Sequence, residues 1–177
     1  MIDYLYFDTD CISSFLWVNE EKILTQLYSG MIFIPQQVYN ELSFPGISHL
    51  KMRLDVLIDG GDAVIQPIFV DTPEYVLYRK FTNSPDESHC IIGKGEAAAL
   101  ALAAISNGSV ASNNLRDVVS YISELGLRHM TTGDILIKAL EASLITEIEG
   151  NNIWSAMAAK KRKIGPASFS EYIYLKK

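Results

Sequence analysis

Four acidic residues lie at or near points where a predicted strand gives way to a helix. Asp8 directly follows the apolar run Tyr4–Phe7, and Glu41 lies in the helix after the second strand. Glu96 begins an alanine-rich helix, and Asp117 lies just beyond the turn after the fourth strand. Mg²⁺ and Mn²⁺ prefer oxygen ligands such as these, whereas carboxylates gathered without a cation repel one another and hold protons. The pattern therefore predicts either a metal site or carboxyl groups that share protons.

Three of these acids also have ordinary structural explanations. Glu96 and Asp117 lie in first helical turns, where the helix dipole favours a negative charge. Glu41 is equally consistent with an exposed position on its helix. Asp8 is harder to explain in this way, because a charge directly after an aromatic strand is costly unless a partner compensates it. The residues alone leave both interpretations open.

The elements that must position these acids alternate between short apolar strands and helices. The predicted strands are Tyr4–Phe7, Met31–Ile34, Ala63–Val70, Val110–Ser112 and Leu127–Met130. The predicted helices span about 12–27, 35–42, 49–58, 73–81, 95–105, 115–125, 134–144 and 150–163, with Thr132 as an N-cap and a loop at 83–93. Such alternation indicates an α/β fold with a parallel sheet and helices on both faces. Ligands bind at the carboxyl ends of the strands in these folds, where the acids fall.

Composition favours one globular domain and excludes several classes of protein. The chain has 177 residues, 49% of them hydrophobic, and a net charge of −6, which argues against a general nucleic-acid coat protein. Cys11 and Cys90 form no CxxC pair, which is typical of reduced thiols. The sequence shows neither a signal peptide nor a membrane-spanning run, so we expect a cytoplasmic location and no membrane partner.

Several segments, in order, resemble the PIN-domain family. They are YLYFDTDCISSF (4–15), IPQQVYNEL (34–42), GEAAALALA (95–103), VASNNLRDVVSY (110–121) and GLRHMTTGDILIKAL (126–140). The resemblance implies a three-layer α/β/α sandwich whose parallel strands are ordered 3-2-1-4-5. It also implies a Mg²⁺- or Mn²⁺-dependent nuclease, often the RNA-cleaving toxin of a toxin–antitoxin pair of the VapC type. An RNA substrate, an antitoxin partner and a homodimer follow as expectations from the same resemblance.

The resemblance assigns roles to individual residues. Asp8, Glu41 and Glu96 fall on the family's acidic positions, and Asp10 falls on a polar position close to the site. The pattern covers the chain to about residue 145, so we divide it into a nuclease domain, 1–146, and a C-terminal part, 147–177. We expect the latter to be a helix with a basic and aromatic tail that packs on the domain or extends it.

The fourth acidic position departs from the family pattern. The family places an aspartate two residues after a Ser or Thr at the end of strand four, but here Ser112 is followed by Asn113 and Asn114. Asp117 lies three residues further on, and one helical turn would bring it to nearly the same side. We therefore expect Asp117 to replace the missing acid and to bind the cation with Asp8 and Glu96. Asn113, Asn114 and Thr132 would contact substrate or orient these ligands, although turn and capping roles explain them equally well.

A basic cluster contrasts with the acidic body of the chain. It consists of Lys160, Lys161, Arg162 and Lys163. Phosphate contacts require Lys or Arg, so the cluster predicts a surface that binds RNA or a partner protein. A solvated helix end, where cations suit the helix dipole, explains it equally well.

Two other functions remain as alternatives. The first is a PIN-like fold retained for binding after its site has eroded, which the Asn113–Asn114 departure favours. The second is a phosphatase of the haloacid dehalogenase type, with Asp8 as nucleophile and Asp10 as acid/base. Its downstream acidic motif is incomplete here, because Lys138 occupies the position of the final aspartate.

Overall fold

The computed structural model describes residues 4–83 and 90–176. Its strands are β1 (Leu5–Phe7), β2 (Ile32–Pro35), β3 (Ala63–Gln66), β4 (Ser109–Ala111) and β5 (Arg128–Met130). The helices before β4 are α1 (Thr9–Val18), α2 (Glu21–Tyr28), α3 (Gln36–Leu42), α4 (Ser48–Asp59), α5 (Pro73–Asn83) and α6 (Lys94–Ser106). Those after β4 are α7 (Leu115–Leu125), α8 (Thr132–Glu141), α9 (Glu147–Ala159) and α10 (Phe169–Lys176).

The five strands form one parallel sheet in the order β3-β2-β1-β4-β5. This order confirms the topology that the resemblance implied. β1 occupies the centre, where it pairs with β2 on one side and β4 on the other. The central position brings Asp8, directly after β1, next to the ends of both neighbouring strands.

Helices cover both faces of the sheet and create two hydrophobic cores. The alternation of side chains along β1 directs Leu5 and Phe7 into one core and Tyr6 into the other. The first core joins the sheet to α1–α4 and α8–α10, and the second joins it to α5–α7. All three β1 side chains are buried, as expected for a parallel strand covered on both faces.

Two predicted elements are shorter than the sequence pattern suggested. The single helix predicted over 12–27 is interrupted at Asn19, which adopts a left-handed conformation (φ 62°) and ends α1. Asparagine adopts this conformation more readily than most residues. The apolar periodicity of the sequence continues past Asn19, although the helix ends there. The predicted strand Ala63–Val70 ends at Gln66, because Pro67 has no N–H to continue the ladder. β3 lies at the sheet edge, as Pro67 indicated.

The C-terminal third differs from the prediction at its boundaries. Thr131, rather than Thr132, caps α8, because the Thr131 hydroxyl accepts the Asp134 N–H at 3.2 Å. The predicted helix Gly150–Lys163 begins earlier, at Glu147, and ends at Ala159. The predicted loop 83–93 lies partly outside the described residues.

The aromatic tail packs against the body as the helix α10. An added Cβ at Gly150 would lie 2.3 Å from the Phe169 ring, and one at Gly133 would lie 2.4 Å from the Tyr172 ring. The absence of side chains at these glycines lets α10 approach α8 and α9 closely. The Trp154 ring lies 5.2 Å from the Tyr172 ring, so the end of the chain completes the first core.

Within the described residues, none of the helices is long and apolar enough to cross a membrane.

Candidate active site

Asp8 is the most constrained of the predicted site residues. It is fully buried and caps α1, where its Oδ1 accepts the Cys11 N–H at 2.7 Å. Its Oδ2 is also buried and makes no hydrogen bond of good geometry, although the Ser112 hydroxyl is close enough to the carboxyl group to lower its pKa. A buried carboxylate oxygen without a partner is unusual in native structures and costs free energy when charged. The Asp8 side chain therefore caps α1 through Oδ1, and its buried Oδ2 is the candidate ligand oxygen.

Burial raises the pKa of Asp8 to about 7. The nearby Ser112 hydroxyl and the Cys11 N–H oppose this rise, whereas the negative charges of Asp10 and Glu96 add to it. Like charges that lie close together disfavour ionisation and so raise the pKa of a carboxyl group. A bound cation would act in the other direction and stabilise the ionised form.

Asn114 links the other two predicted metal ligands. Its amide nitrogen donates to Glu96 Oε1 at 2.6 Å and to Asp117 Oδ2 at 2.8 Å. Glu96 also accepts the Gly93 N–H at 3.1 Å through Oε2, which fixes the start of α6. Burial raises the pKa of Glu96, and the charges of Asp117 and Asp10 raise it further. The predicted proximity of Asp117 to Asn114 and Glu96 is therefore present, with amide hydrogens between the carboxylates.

Glu41 connects α3 to the start of α6. Its Oε1 accepts the Gly95 N–H at 3.0 Å, and its Oε2 accepts a hydrogen bond from the Thr9 hydroxyl. A Cβ at Gly95 would lie 2.7 Å from Thr9 Oγ1 and 3.0 Å from Glu41 Oε2. Only glycine permits this approach, which brings the first turns of α1 and α6 against the Glu41 carboxylate.

An open cleft of about 210 Å³ lies at the carboxyl end of the sheet, and Glu96 is the one predicted metal ligand among its lining residues. Thr9, Asp10, Glu41, Gly95 and Glu96 line it. In the described part of the chain, no three His, Cys, Asp or Glu side chains converge closely enough to hold a metal ion as they stand. The donors nevertheless suit a hard cation, because they are all oxygens and Asp8 Oδ2 is unpartnered. A cation bound by Asp8, Glu96 and Asp117 would have to replace the Asn114 amide hydrogens.

Asn113 and Thr132 lie behind the cleft and hold two helices together. Asn113 Nδ2 donates to Thr132 Oγ1 at 2.9 Å, and Asn113 Oδ1 accepts the Thr132 N–H at 2.8 Å. Thr132 is fully buried, and its hydroxyl also lies 3.5 Å from Cys11 Sγ. These contacts place both side chains in the support between α1 and α8.

Part of the basic cluster lies against α1, next to the cleft. Arg162 Nη1 lies 3.9 Å from Asp10 Oδ1 and 3.4 Å from Ser13 Oγ. Lys160 Nζ lies 5.5 Å from the centre of the Trp17 ring, on the same helix but further from the site. Arg162 is therefore the member of the cluster that the fold brings closest to the carboxylates.

Sequence reasoning did not identify Thr9 and Gly95 as parts of the site. The Gly95–Glu96 pair at the start of α6 is too common to indicate a site on its own, and Thr9 lies between two acids whose role in a metal site is easier to predict. Both are recognisable only once α1, α3 and α6 meet, because their roles depend on contacts between residues far apart in sequence.

Comparison with known proteins gives a family and a fold. A family model described as DUF3368: PIN domain matches residues 5–175. No match was found among curated proteins. A chain in the crystal structure of VapBC2 from Rickettsia felis bound to a DNA fragment from their promoter matches with a TM-score of 0.51 and 16% identity. The match covers 72% of this chain and 98% of that one, and at this identity it shows a shared fold.

Proposed function

The chain belongs to the PIN-domain family DUF3368, and from this premise we propose that it is a Mg²⁺- or Mn²⁺-dependent endoribonuclease. PIN domains are generally nucleases that use divalent metal ions. The observation that carries the proposal is the buried, unpartnered Oδ2 of Asp8 among the other carboxylates. The ionised form of a buried carboxylate needs a positive charge close by to stabilise it, and a bound cation would supply that charge.

Asp8, Glu96 and Asp117 would hold the cation, directly or through water. When bound, a divalent cation polarises a phosphate and lowers the pKa of an attacking water. Glu41 holds the first turns of α1 and α6 together and keeps a carboxylate at the cleft. In this role it positions the site, and it is also available to a second ion. Asn114 donates hydrogen bonds to both Glu96 and Asp117, which offsets the repulsion between the two carboxylates. A bound cation would take the place of these hydrogen bonds.

RNA binding would rely on the few cations close to the acidic cleft. Arg162 is held beside Asp10 at the edge of the cleft, where it can contact a phosphate next to the cleaved one. Lys161 and Lys163 are exposed and adjoin Arg162 in sequence, and Lys160 contacts Trp17. This arrangement supports the role expected for the basic cluster, because phosphate contacts dominate affinity for nucleic acids.

A place in a toxin–antitoxin pair is part of the proposal. The similar fold in the Rickettsia felis VapBC2 complex supports a VapC-like toxin with an antitoxin partner. The homodimer remains a prediction from the family resemblance. The likeness to that complex concerns the fold alone, so both partners are tested by co-purification and by mass measurement in solution.

A binding module with an eroded site is the second candidate. It is favoured by Asn114, which stands at the position of the family's fourth acid and fills oxygens of Glu96 and Asp117 with its own hydrogens. Membership of the PIN-domain family argues against the phosphatase alternative.

The proposal is tested by incubating the purified protein with single-stranded RNA in chelator, Mg²⁺ or Mn²⁺. We expect cleavage with either cation, none in chelator, and products with a 5′-phosphate and a 3′-hydroxyl. Asp8→Asn should abolish cleavage while keeping the cap on α1, since asparagine caps helices as well as aspartate. RNA binding without cation-dependent cleavage in the wild type would contradict the nuclease and support the binding module.

A further inference from the structure

A second cleft lies directly beside the acidic one and shares Gly93 with it. Its volume is about 500 Å³, and it lies between α5 and the segment that leads into α6. The residues that matter here are Tyr75, Tyr78, Arg79, Ile91 and Lys94. A cleft of this size is large enough for a nucleotide.

The wall of this second cleft is held in place by contacts to three helices. Ile92 N–H donates to Phe81 O at 3.2 Å, which joins the wall to α5. The Tyr121 hydroxyl donates to Cys90 O at 2.7 Å, which joins it to α7. The Gly95 N–H, two residues after the shared Gly93, is bound by Glu41 of α3. These contacts join the described part of the wall to α5 and α7 and place it next to the acidic cleft.

The side chains combine flat apolar surfaces with positive charge. Tyr75 and Tyr78 are half-buried, and the Ile91 side chain is 62% exposed despite being apolar. Arg79 and Lys94 are exposed, and within residues 4–83 and 90–176 Lys94 forms no ion pair. Tyr78 lines the cleft that shares Gly93 with the acidic one, and the Glu41 carboxylate adds to the rise in the pKa of Tyr78 that burial causes.

Single-stranded nucleic acids are bound by this combination of side chains. Bases stack on aromatic rings, while Lys and Arg contact the phosphates between them. An acidic protein that cuts RNA needs such a site close to its carboxylates, because they repel the substrate backbone.

We propose that the second cleft binds the nucleotide adjacent to the cleaved phosphodiester, with its base on Tyr78 and its phosphate at Lys94. This inference rests on the proposed ribonuclease function and adds a defined substrate subsite to it. Tyr75 and Ile91 extend the apolar surface, and Arg79 adds a second positive charge at its edge. A strand that spans both clefts would pass Asp10 and Arg162 at the acidic cleft and Lys94 at the second cleft.

The test is the affinity of a fluorescein-labelled, mixed-sequence single-stranded RNA, measured by anisotropy in chelator so that no cleavage occurs. We expect Tyr78→Leu to weaken binding about tenfold, the loss typical of one stacked base. Tyr78→Phe should bind like the wild type, because it keeps the ring. Lys94→Gln should weaken binding and lower the salt dependence, the slope of log K against log salt, by about 0.7.

Matched controls lie away from the second cleft. Tyr174→Leu removes a ring that is 78% exposed on α10, and Lys22→Gln removes an exposed lysine on α2. Both should bind RNA like the wild type. Circular dichroism checks the fold of each variant, and Tyr75→Leu replaces Tyr78→Leu if the latter does not fold.

Two results would overturn the subsite. One is an RNA affinity that is the same for the wild-type protein, Tyr78→Leu and Lys94→Gln. The other is that the wild-type protein does not bind RNA at all. Equal losses for Tyr78→Phe and Tyr78→Leu would also overturn the stacking contact. Parallel cleavage assays with Mn²⁺ distinguish failure of the subsite from failure of the nuclease. If RNA binding depends on Tyr78 but the wild type does not cleave, only the subsite is supported. If the wild type and Tyr78→Leu cleave equally well, only the nuclease is supported.

Discussion

At the scale of single residues, the two carboxylate oxygens of Asp8 have different roles, which the sequence does not reveal. Its Oδ1 caps α1, and its buried Oδ2 has no partner. The sequence indicated that a charge after β1 would be costly, and the structure shows which oxygen carries the cost. An acid whose folded pKa lies near 7 destabilises the fold whenever it is ionised.

The Asp8 carboxyl should make stability depend on pH in the absence of metal. Between its unfolded pKa near 4 and its folded pKa of about 7, the folded state binds the proton more tightly, so stability falls as pH rises. Asp8→Asn removes this dependence and keeps the cap. We expect the free energy of unfolding of Asp8→Asn to exceed that of the wild type by a few kcal/mol more at pH 8 than at pH 4, about 4 at most. Urea unfolding in chelator measures both proteins, and a difference that is the same at both pH values would contradict the assignment.

Asn114 sets the charge balance between Glu96 and Asp117. Replacing it by aspartate restores the family's acid but exchanges two hydrogen bonds for repulsion. We expect Asn114→Asp to lower the free energy of unfolding in chelator by about 1–3 kcal/mol. It should also gain more stability from Mn²⁺ than the wild type, since a fourth carboxylate adds negative charge around the ion.

Asn114→Ala is the matched control, because it loses the same hydrogen bonds without adding a charge. It should be destabilised in chelator and gain no extra stabilisation from Mn²⁺. Equal responses of the two variants to Mn²⁺ would show that residue 114 does not face the cation.

At the scale of elements, the site depends on how closely α6 approaches α1 and α3. The alanine-rich sequence predicted α6 within one residue at each end, and the strands were located to within a few residues because their apolar runs were short and bounded. The close approach at Gly95 was not predictable, since a glycine in a first helical turn has no local signature. It became visible only from the atoms that a Cβ would meet.

Gly95→Ala tests this approach through the sign of its effect. In an exposed helix, alanine in place of glycine stabilises by about 1 kcal/mol. Here the added Cβ meets Thr9 Oγ1 and Glu41 Oε2, so we expect destabilisation of about 1–3 kcal/mol and reduced RNA cleavage. Urea unfolding followed by circular dichroism gives the sign, and a stabilised variant would show that α6 is not held against Glu41.

Residues 113 and 132 illustrate the limits of sequence reasoning at this scale. Their side chains were predicted to contact substrate or orient the metal ligands, or else to serve turns and caps. The structure shows a pair of hydrogen bonds between them, which join the β4–α7 turn to the start of α8. Such a contact joins positions far apart in the chain, which no single segment reveals. Contact with substrate stays a prediction.

At the scale of the whole molecule, the fold brings the basic C-terminal segment back to the acidic body of the chain. The basic cluster that follows α9 returns to α1, where Arg162 meets Asp10. α10 then packs on the glycines of α8 and α9 and completes the first core. The alternation of strands and helices predicted the sheet and its two helical layers, whereas this return of the chain end was indicated only by the aromatic composition of the tail.

The central claim is that the carboxylates around Asp8 hold a divalent cation, and metal-dependent stability tests it most directly. Unfolding of chelator-stripped wild type and Asp8→Asn is measured with and without Mg²⁺ or Mn²⁺. We predict that the wild type gains about 2.7 kcal/mol when the ion stands at a hundred times its Kd, and that Asp8→Asn gains little or nothing. A wild type that shows no stabilisation at millimolar ion, or a variant stabilised as much as the wild type, would contradict the claim.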